Sequence, residues 1–533
     1  MQPITEVARE LGLRDDDVEP YGRTMAKVSV RALEDPPRGA GRLVLVSAIN
    51  PTPAGEGKTT SSIALAMGMR KLGKRPVLAL RQPSLGPIFG MKGGGTGGGH
   101  ATLEPSDGIN VHFTGDIHAI ASAHNLLSSL VDNAIQWRDR FGGAEIDPRQ
   151  VTWGRALDAN DRFLRNCIIG LGGKAHGVPR EERFDIAAAS EVMAIVALAS
   201  GRADLEARLG RIIVGSTYDG APVTASDLIA PAAMTALLRH AMVPNLVQTA
   251  EGGPAFVHAG PFANIAHGCS SILATRMAMK LGDYAITEAG FGFDLGGEKF
   301  FDIKCRAAGV WPRAVMLVVT LRALEAHGGL DHLDKHLESI AAFGLPVIVA
   351  LNSFRDESKE AVASLAREMA SRGVAFAAHQ GYARGGEGST ELARTVCEVA
   401  DGTDASPPAP RFLYPLDLPP EEKARAVVRT VYGARDVVFT ARAKADLARF
   451  KALGGDLLPV CFAKTHLSLS DDPKAPGRPR DFVITVREVR LSAGAGLLVA
   501  LAGDIMTMPG LPREPASRRI HLGDDGRIVG LGG

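Results

Sequence analysis

Residues 43–59 decide the reading of this chain: an apolar run, Leu43-Val44-Leu45-Val46, and then Thr52-Pro53-Ala54-Gly55-Glu56-Gly57-Lys58-Thr59. Four consecutive apolar residues without polar alternation suit a strand covered on both faces of a parallel sheet. After the loop, Ser61-Ser62-Ile63-Ala64-Leu65-Ala66-Met67 has a helical pattern, and Pro76-Val77-Leu78-Ala79-Leu80 reads as a second buried strand. Together they predict a βαβ unit, which packs as a right-handed crossover. Compared with the pattern GxxxxGK[ST], the loop differs only at its first position, Thr52. Small residues allow backbone N–H groups to turn inward on phosphates, and the helix N-terminus adds a partial positive charge. Lys58 is expected to reach the β- and γ-phosphates, and Thr59 to offer its hydroxyl to Mg²⁺. Residues Thr52 to Thr59 are therefore the candidate site for a nucleoside triphosphate, although the pattern does not name the phosphate acceptor.

Working outward, further apolar strands are expected at 283–287, 314–320 and 347–351, with long helices at 117–137 and 185–198. From about residue 356 the texture changes. Proline-rich stretches at 406–410 and 472–480 break the pattern, and 482–490 alternates like a half-buried strand. The predicted fold is α/β: a P-loop NTPase-like, mostly parallel sheet with helices on both faces, a largely helical insert and a C-terminal α/β region. The expected divisions are 1–100 with 233–355, 101–232, and 356–533.

Bulk properties exclude several classes. The 533 residues carry Lys+Arg 60 against Asp+Glu 59, a formal charge of +1, without the basic excess of a nucleic-acid or membrane-surface protein. No apolar run approaches the roughly 20 residues needed to span a bilayer, and the first residues lack a signal-peptide pattern. Cys167, Cys269, Cys305, Cys397 and Cys461 form no CxxC pair and read as reduced thiols. A cytoplasmic globular enzyme is expected.

Other side chains invite roles. Arg81 ends the second strand, at the carboxyl edge where α/β ligand sites form; a bidentate anion contact and a solvated strand end are both open readings. Lys92 precedes the glycine run 93–99, which is either a plain flexible loop or one able to close on an anion. His118 and His124 are six residues apart, about 240° around a helix, so they do not converge on zinc. Asp116, placed at the end of a predicted strand, reads equally as a ligand of Mg²⁺ or a monovalent cation and as a helix N-cap.

Several stretches beyond the loop resemble formate–tetrahydrofolate ligases. They include Pro83-Ser84-Leu85-Gly86-Pro87, Phe113-Thr114-Gly115-Asp116-Ile117-His118, and Gly172-Gly173-Lys174-Ala175-His176-Gly177. Further along come Gly260-Pro261-Phe262-Ala263-Asn264-Ile265-Ala266-His267-Gly268-Cys269, Thr287-Glu288-Ala289-Gly290-Phe291-Gly292, and Glu298-Lys299-Phe300-Phe301-Asp302. Ser468-Leu469-Ser470-Asp471-Asp472-Pro473 and Thr507-Met508-Pro509-Gly510-Leu511-Pro512 extend the match in consistent order almost to the end.

The resemblance implies a two-stage reaction. Formate attacks the γ-phosphate of ATP bound with Mg²⁺ to give formyl phosphate, and tetrahydrofolate then takes the formyl group to give 10-formyltetrahydrofolate. It gives Lys58 and Arg81 the catalytic roles, with Arg81 on formate and formyl phosphate. Phe291 and Tyr382, aromatics with glycine neighbours, become candidate stacking surfaces for the pterin, with core packing as the alternative. The C-terminal region would carry folate and subunit contacts. A homotetramer activated by a monovalent cation such as K⁺ is also implied, with small-molecule substrates and no nucleic-acid or membrane partner.

Three positions depart from the family pattern. Gln82 replaces the usual glutamate and removes a charge that could hold K⁺, Glu325 stands where lysine is common, and Tyr382 falls where tryptophan is usual. Two rival readings remain: another P-loop enzyme that activates a carboxylate, or a homologue that binds folate or nucleotide without catalysis.

Overall fold

Alternation along buried strands sets the architecture of the computed structural model, which describes residues 1–52, 55–503 and 505–531. On strand β1 (Arg42–Ala48), Leu43 and Leu45 enter one hydrophobic cluster while Val44 and Val46 enter another on the opposite face. The same division recurs on β2 (Pro76–Leu80), where Val77 and Ala79 face one side and Leu78 and Leu80 the other. Each face needs a cover, and helices supply it. Helix α1 (Lys58–Lys71) contributes Ile63 and Met67 to the second cluster, whereas α3 (Ile272–Leu281) and α4 (Leu330–Ala341) contribute Met277 and Leu333 to the first. Full burial of each such side chain is worth about 1.5–3 kcal/mol.

The remaining principal strands are β3 (Asn245–Thr249), β4 (Pro254–Val257), β5 (Tyr284–Glu288), β6 (Ala314–Val319), β7 (Val347–Asn352) and β8 (Ala375–His379). Their spatial order is β3-β4-β2-β5-β1-β6-β7-β8 within a sheet of 12 strands. Every pairing from β4 to β8 is parallel. The antiparallel pair β3–β4 and the hairpin Val18–Tyr21 with Met25–Val28 extend one edge. Parallel strands put all their carboxyl ends on one side, and the turns that follow β1, β2, β5, β6 and β7 therefore meet there.

The expected strands at 283–287, 314–320 and 347–351 match β5, β6 and β7, and the helix expected at 117–137 is α2 (Asp116–Trp137). Four expectations need correction. The sheet does not stop at residue 355: β8 pairs with β7, and helix α5 (Thr390–Asp401) packs Leu392 and Val396 into the same core as α1. The helix expected at 185–198 runs only over Glu191–Leu198, because the Ser190 side chain accepts from Met193 N at 3.2 Å and starts the helix there. Residues 101–232 hold α2 and shorter helices, but pairs such as Cys167–Ile169 with Arg180–Glu182 lie between them, where glycines repeatedly break helical periodicity. Asp116 follows a turn and opens α2, so no strand ends there.

Past residue 410 a separate core gathers Tyr432, Phe462, Ile484 and Leu498, built on small sheets such as Val460–Ala463 with Leu497–Leu501. Among the described residues, no helix is long and apolar enough to cross a membrane.

One buried ion pair ties α2 to the sheet edge. Lys27 Nζ donates to Asp116 Oδ1 at 2.6 Å, and Asn245 Nδ2 donates to Asp116 Oδ2 at 2.7 Å. Burial lowers the Lys27 pKa, and the Asp116 carboxylate opposes that shift. Removing one member leaves an uncompensated interior charge. Lys27→Ala should destabilise the protein by about 3–5 kcal/mol, visible as an earlier urea-unfolding midpoint; an unchanged midpoint would contradict this account.

Candidate functional site

The loop after β1 is drawn into shape by its own glutamate. The Glu56 carboxylate accepts from Thr52 N at 2.8 Å and Thr52 Oγ1 at 2.9 Å, and its other oxygen accepts from Thr320 Oγ1 at 2.5 Å. Asn352 Nδ2 donates to the Glu56 carbonyl at 3.2 Å, which fixes the loop to the end of β7. Gly57 then turns into α1 with φ of 67°, and a Cβ there would sit 2.5 Å from Asn352 Nδ2. Both the left-handed backbone and the close approach require glycine. Gly57 caps α1 with no side-chain hydrogen bond, so the first helical N–H groups face outward, an arrangement that favours anions. Pro53 and Ala54 lie outside the described residues; Gly55 has φ of 75°.

Cations converge on this loop. Lys58 Nζ donates to the Phe291 carbonyl at 2.5 Å, and Thr59 Oγ1 donates to Glu288 Oε2 at 2.9 Å. Burial pushes the Lys58 ammonium down to about 8; the Glu288 charge opposes the shift, while Arg81 and Lys92 reinforce it. Lys92 is lowered by burial and then by Arg81, with Glu288 again opposing. Arg81 follows β2 and donates through Nη1 to the Pro261 carbonyl at 3.2 Å, while its buried Nε has no hydrogen-bond partner among the described residues. Three cations therefore share a neighbourhood with Glu288, at the carboxyl ends of β1, β2 and β5. Such a surplus in a partly desolvated cleft suits a polyanion.

The other expected residues fall in different places. Phe291 adjoins Lys58 through its carbonyl, adopts φ of 58°, and stacks on His466 with ring centroids 4.3 Å apart. Tyr382 lies on the helical turn Gly381–Arg384, 46% exposed, and its carbonyl accepts from His100 N at 2.8 Å beside the glycine run. Asp116 lies in the buried pair with Lys27, beside β3; three strand spacings, about 14 Å, separate β3 from β5 and Glu288. Thr52, Gly55, Glu56, Gly57, Lys58, Thr59, Arg81 and Phe291 are thus gathered at the carboxyl ends of β1, β2 and β5; Asp116 lies at the same end of the sheet but three strands to the side of β5, beside β3.

The model of the family described as formate–tetrahydrofolate ligase matches residues 1–532. The chain belongs to the formate–tetrahydrofolate ligase family. A formate–tetrahydrofolate ligase of Myxococcus xanthus (strain DK1622) is 62% identical over 100% of this chain and 99% of its own length. Similarly named proteins of Paracoccus denitrificans (strain Pd 1222) and Methylobacterium sp. (strain 4-46) are 51% and 50% identical, covering 99% and 100% of this chain and 97% and 98% of their own lengths.

In this family member, several neighbours of the loop escaped the sequence reading as site residues. Glu288 ends a wholly buried strand, and a carboxylate in that position is the signal that could have marked it. Asn50, whose Nδ2 donates to Asp294 Oδ1 at 3.2 Å, and Thr320 and Asn352 carry no spacing pattern at all.

Lys58 supplies a pH signature. With a value of about 8 in the free protein, its charge is present below that pH and lost above it. Affinity for inorganic pyrophosphate, measured by calorimetry and corrected for the anion's own ionisation, should fall as pH rises through about 8. A profile that stays level to pH 9.5 would remove Lys58 from the anion site.

Proposed function

We propose that the chain acts as a formate–tetrahydrofolate ligase, converting ATP, formate and tetrahydrofolate to ADP, phosphate and 10-formyltetrahydrofolate. The observation that carries this reading is the cluster of Lys58, Arg81 and Lys92 around a glycine loop, with Glu288 the acid beside it. In this reading the strand–loop–helix is a phosphate-binding loop of the P-loop kind. Lys58 leaves the Phe291 carbonyl for the β- and γ-phosphates. Thr59 and Glu288, already hydrogen-bonded, offer two hard oxygens suited to the Mg²⁺ of the nucleotide, which neutralises phosphate charge when bound. We assign that role to Glu288 and leave Asp116 to its structural ion pair.

Arg81 holds the formate carboxylate. A formate oxygen bonds to the γ-phosphorus while the bond to the β–γ bridging oxygen breaks and ADP leaves with the electron pair. N10 of tetrahydrofolate then attacks the formyl carbon, the acyl C–O bond breaks, phosphate departs, and N10 gives up its proton. A carboxylate is a poor acylating agent, and phosphorylation supplies the leaving group. The protein's contribution is positioning and charge neutralisation. In this reading Phe291, beside Lys58, offers the pterin the ring face not stacked on His466. Tyr382 would act there only by approach of the glycine-run side of the cleft. A homotetramer, a cytoplasmic location and activation by K⁺ extend the family resemblance, and the neutral Gln82 weakens the case for K⁺.

Acidifying a mixture of protein, formate, Mg·ATP and tetrahydrofolate should yield the 5,10-methenyl chromophore only when all three substrates are present. Lys58→Ala should lower turnover by about 10²-fold or more, and unchanged turnover would sink the loop assignment. Glu288→Gln should raise the Mg²⁺ concentration needed for half-maximal rate; an unaltered requirement would exclude this carboxylate from the ion's site.

A further inference from the structure

Three buried side chains beside the phosphate loop take no part in the reaction steps. Asn50 stands just after β1, Asp294 in the segment after β5, and Lys464 directly after the C-terminal strand Val460–Ala463; each is no more than 1% exposed. Asp294 joins them. Its Oδ1 accepts from Asn50 Nδ2 at 3.2 Å, and its Oδ2 accepts from Lys464 Nζ at 2.8 Å. Asn50 Nδ2 also donates to the His466 carbonyl at 3.2 Å, while Lys464 Nζ donates to the carbonyls of Thr465 and Ser468. Removing one partner of an ion pair buried this fully leaves a bare interior charge, so the three segments are held in one arrangement.

The Asn50 amide can point only one way. Both of its donor contacts end on a carboxylate and a carbonyl, which cannot donate in return, so Oδ1 faces His336 Nε2 at 3.1 Å. That nitrogen therefore carries its proton and shares it with His332 Nε2, 3.3 Å away on the same helix, α4. His332 keeps its own proton on Nδ1, which donates to the Gly477 carbonyl at 2.9 Å. Every polar atom of the Asn50 side chain is thus committed. Against it lies the strained turn at Phe291, where a Cβ on Gly292 would come within 2.5 Å of Asp294 Oδ1 and 3.3 Å of Asn50 N. A bulky residue keeps a φ of 58° only where its surroundings over-determine it. Here the Phe291 carbonyl accepts from Lys58, and its ring stacks on His466, whose own carbonyl Asn50 holds.

We propose that Asn50 is a positioning residue for phosphoryl transfer: through Asp294 and the His466 carbonyl it clamps Phe291, whose carbonyl sets where the Lys58 ammonium stands. The proposal rests on the ligase reading. Without the clamp the Phe291 backbone is free to relax, its carbonyl turns away, and Lys58 loses the direction from which it meets the phosphates. A displacement of about 1 Å at a reacting centre can cost about 10²-fold in rate. The loss falls on turnover more than on binding, because Arg81, Lys92 and the amides that open α1 stay in place.

The test uses full-length variants assayed for kcat at saturating formate, Mg·ATP and tetrahydrofolate. Asn50→Ala should lower kcat by about 10-fold or more, with the KM for ATP and for tetrahydrofolate each within about threefold. Phe291→Gly removes the strained residue and its ring together and should also lower kcat; loss of a stacking face for the pterin would appear in KM instead. In that background the clamp has nothing left to hold, so adding Asn50→Ala should lower kcat by no more than about a further twofold. His336→Phe, which removes the donor to Asn50 Oδ1, should show the same split and the same lack of additivity with a smaller loss, and serves if Asn50→Ala does not fold. An unchanged kcat in the Asn50 or His336 variant would overturn the proposal. So would losses that multiply in the double variant, or KM values that rise as far as kcat falls, which mark general distortion. Absence of turnover in the unaltered protein would instead remove the ligase reading beneath it.

Discussion

Desolvation of Lys58 beside Glu288, with Arg81 and Lys92 in the same neighbourhood, is the constraint to which the rest of the molecule answers. Desolvation lowers Lys58 and the more exposed Lys92, and each shift is deepened by a neighbouring cation. Such an arrangement is unfavourable in isolation and persists only where a rigid scaffold fixes the positions. The parallel sheet is that scaffold. Its strands are apolar on both faces, helices cover each face, and the covered strands cannot relax outward to separate the charges.

The short contacts of the cleft keep this arrangement orderly. Lys58 is parked on the Phe291 carbonyl and Thr59 on Glu288, so neither side chain is left without a partner. Phe291 has a backbone φ of 58°, a sterically costly region for a bulky residue, and its ring stacks on His466. The strained residue presents its carbonyl to the lysine and its ring to the cleft at once. A relaxed backbone at this position would turn one of the two away. The C-terminal region enters the site through His466, which joins two separately built cores at the point where the reacting groups are expected.

Much of the fold was legible because its strongest signals are local. Continuous apolar runs announced β1, β2 and β5 to β7, and helical periodicity announced α2. The strand at 375–379 was missed because its short apolar run is mostly alanine, which does not distinguish a strand from a helix. The helix over 185–198 was overextended because Ser190 looked like an interior residue although its hydroxyl caps the helix. In the candidate site, the loop and Arg81 could be read from spacing and strand order. Asp116 could not be interpreted, since its partner Lys27 is 89 residues away and nothing in the local sequence pairs them.

The Glu56 carboxylate has a consequence for which anions the loop can admit. It already satisfies the Thr52 amide and hydroxyl, from a point four residues along the same chain. An incoming anion competes there with a tethered rival whose effective concentration is far above that of any free ion. A single phosphate or sulfate has fewer contacts to set against it than a polyphosphate has. In the proposed reading, a triphosphate would set contacts with Lys58, the amides that open α1 and the Thr59 hydroxyl together against that rival. On that reading the loop favours a longer anion over a single phosphate.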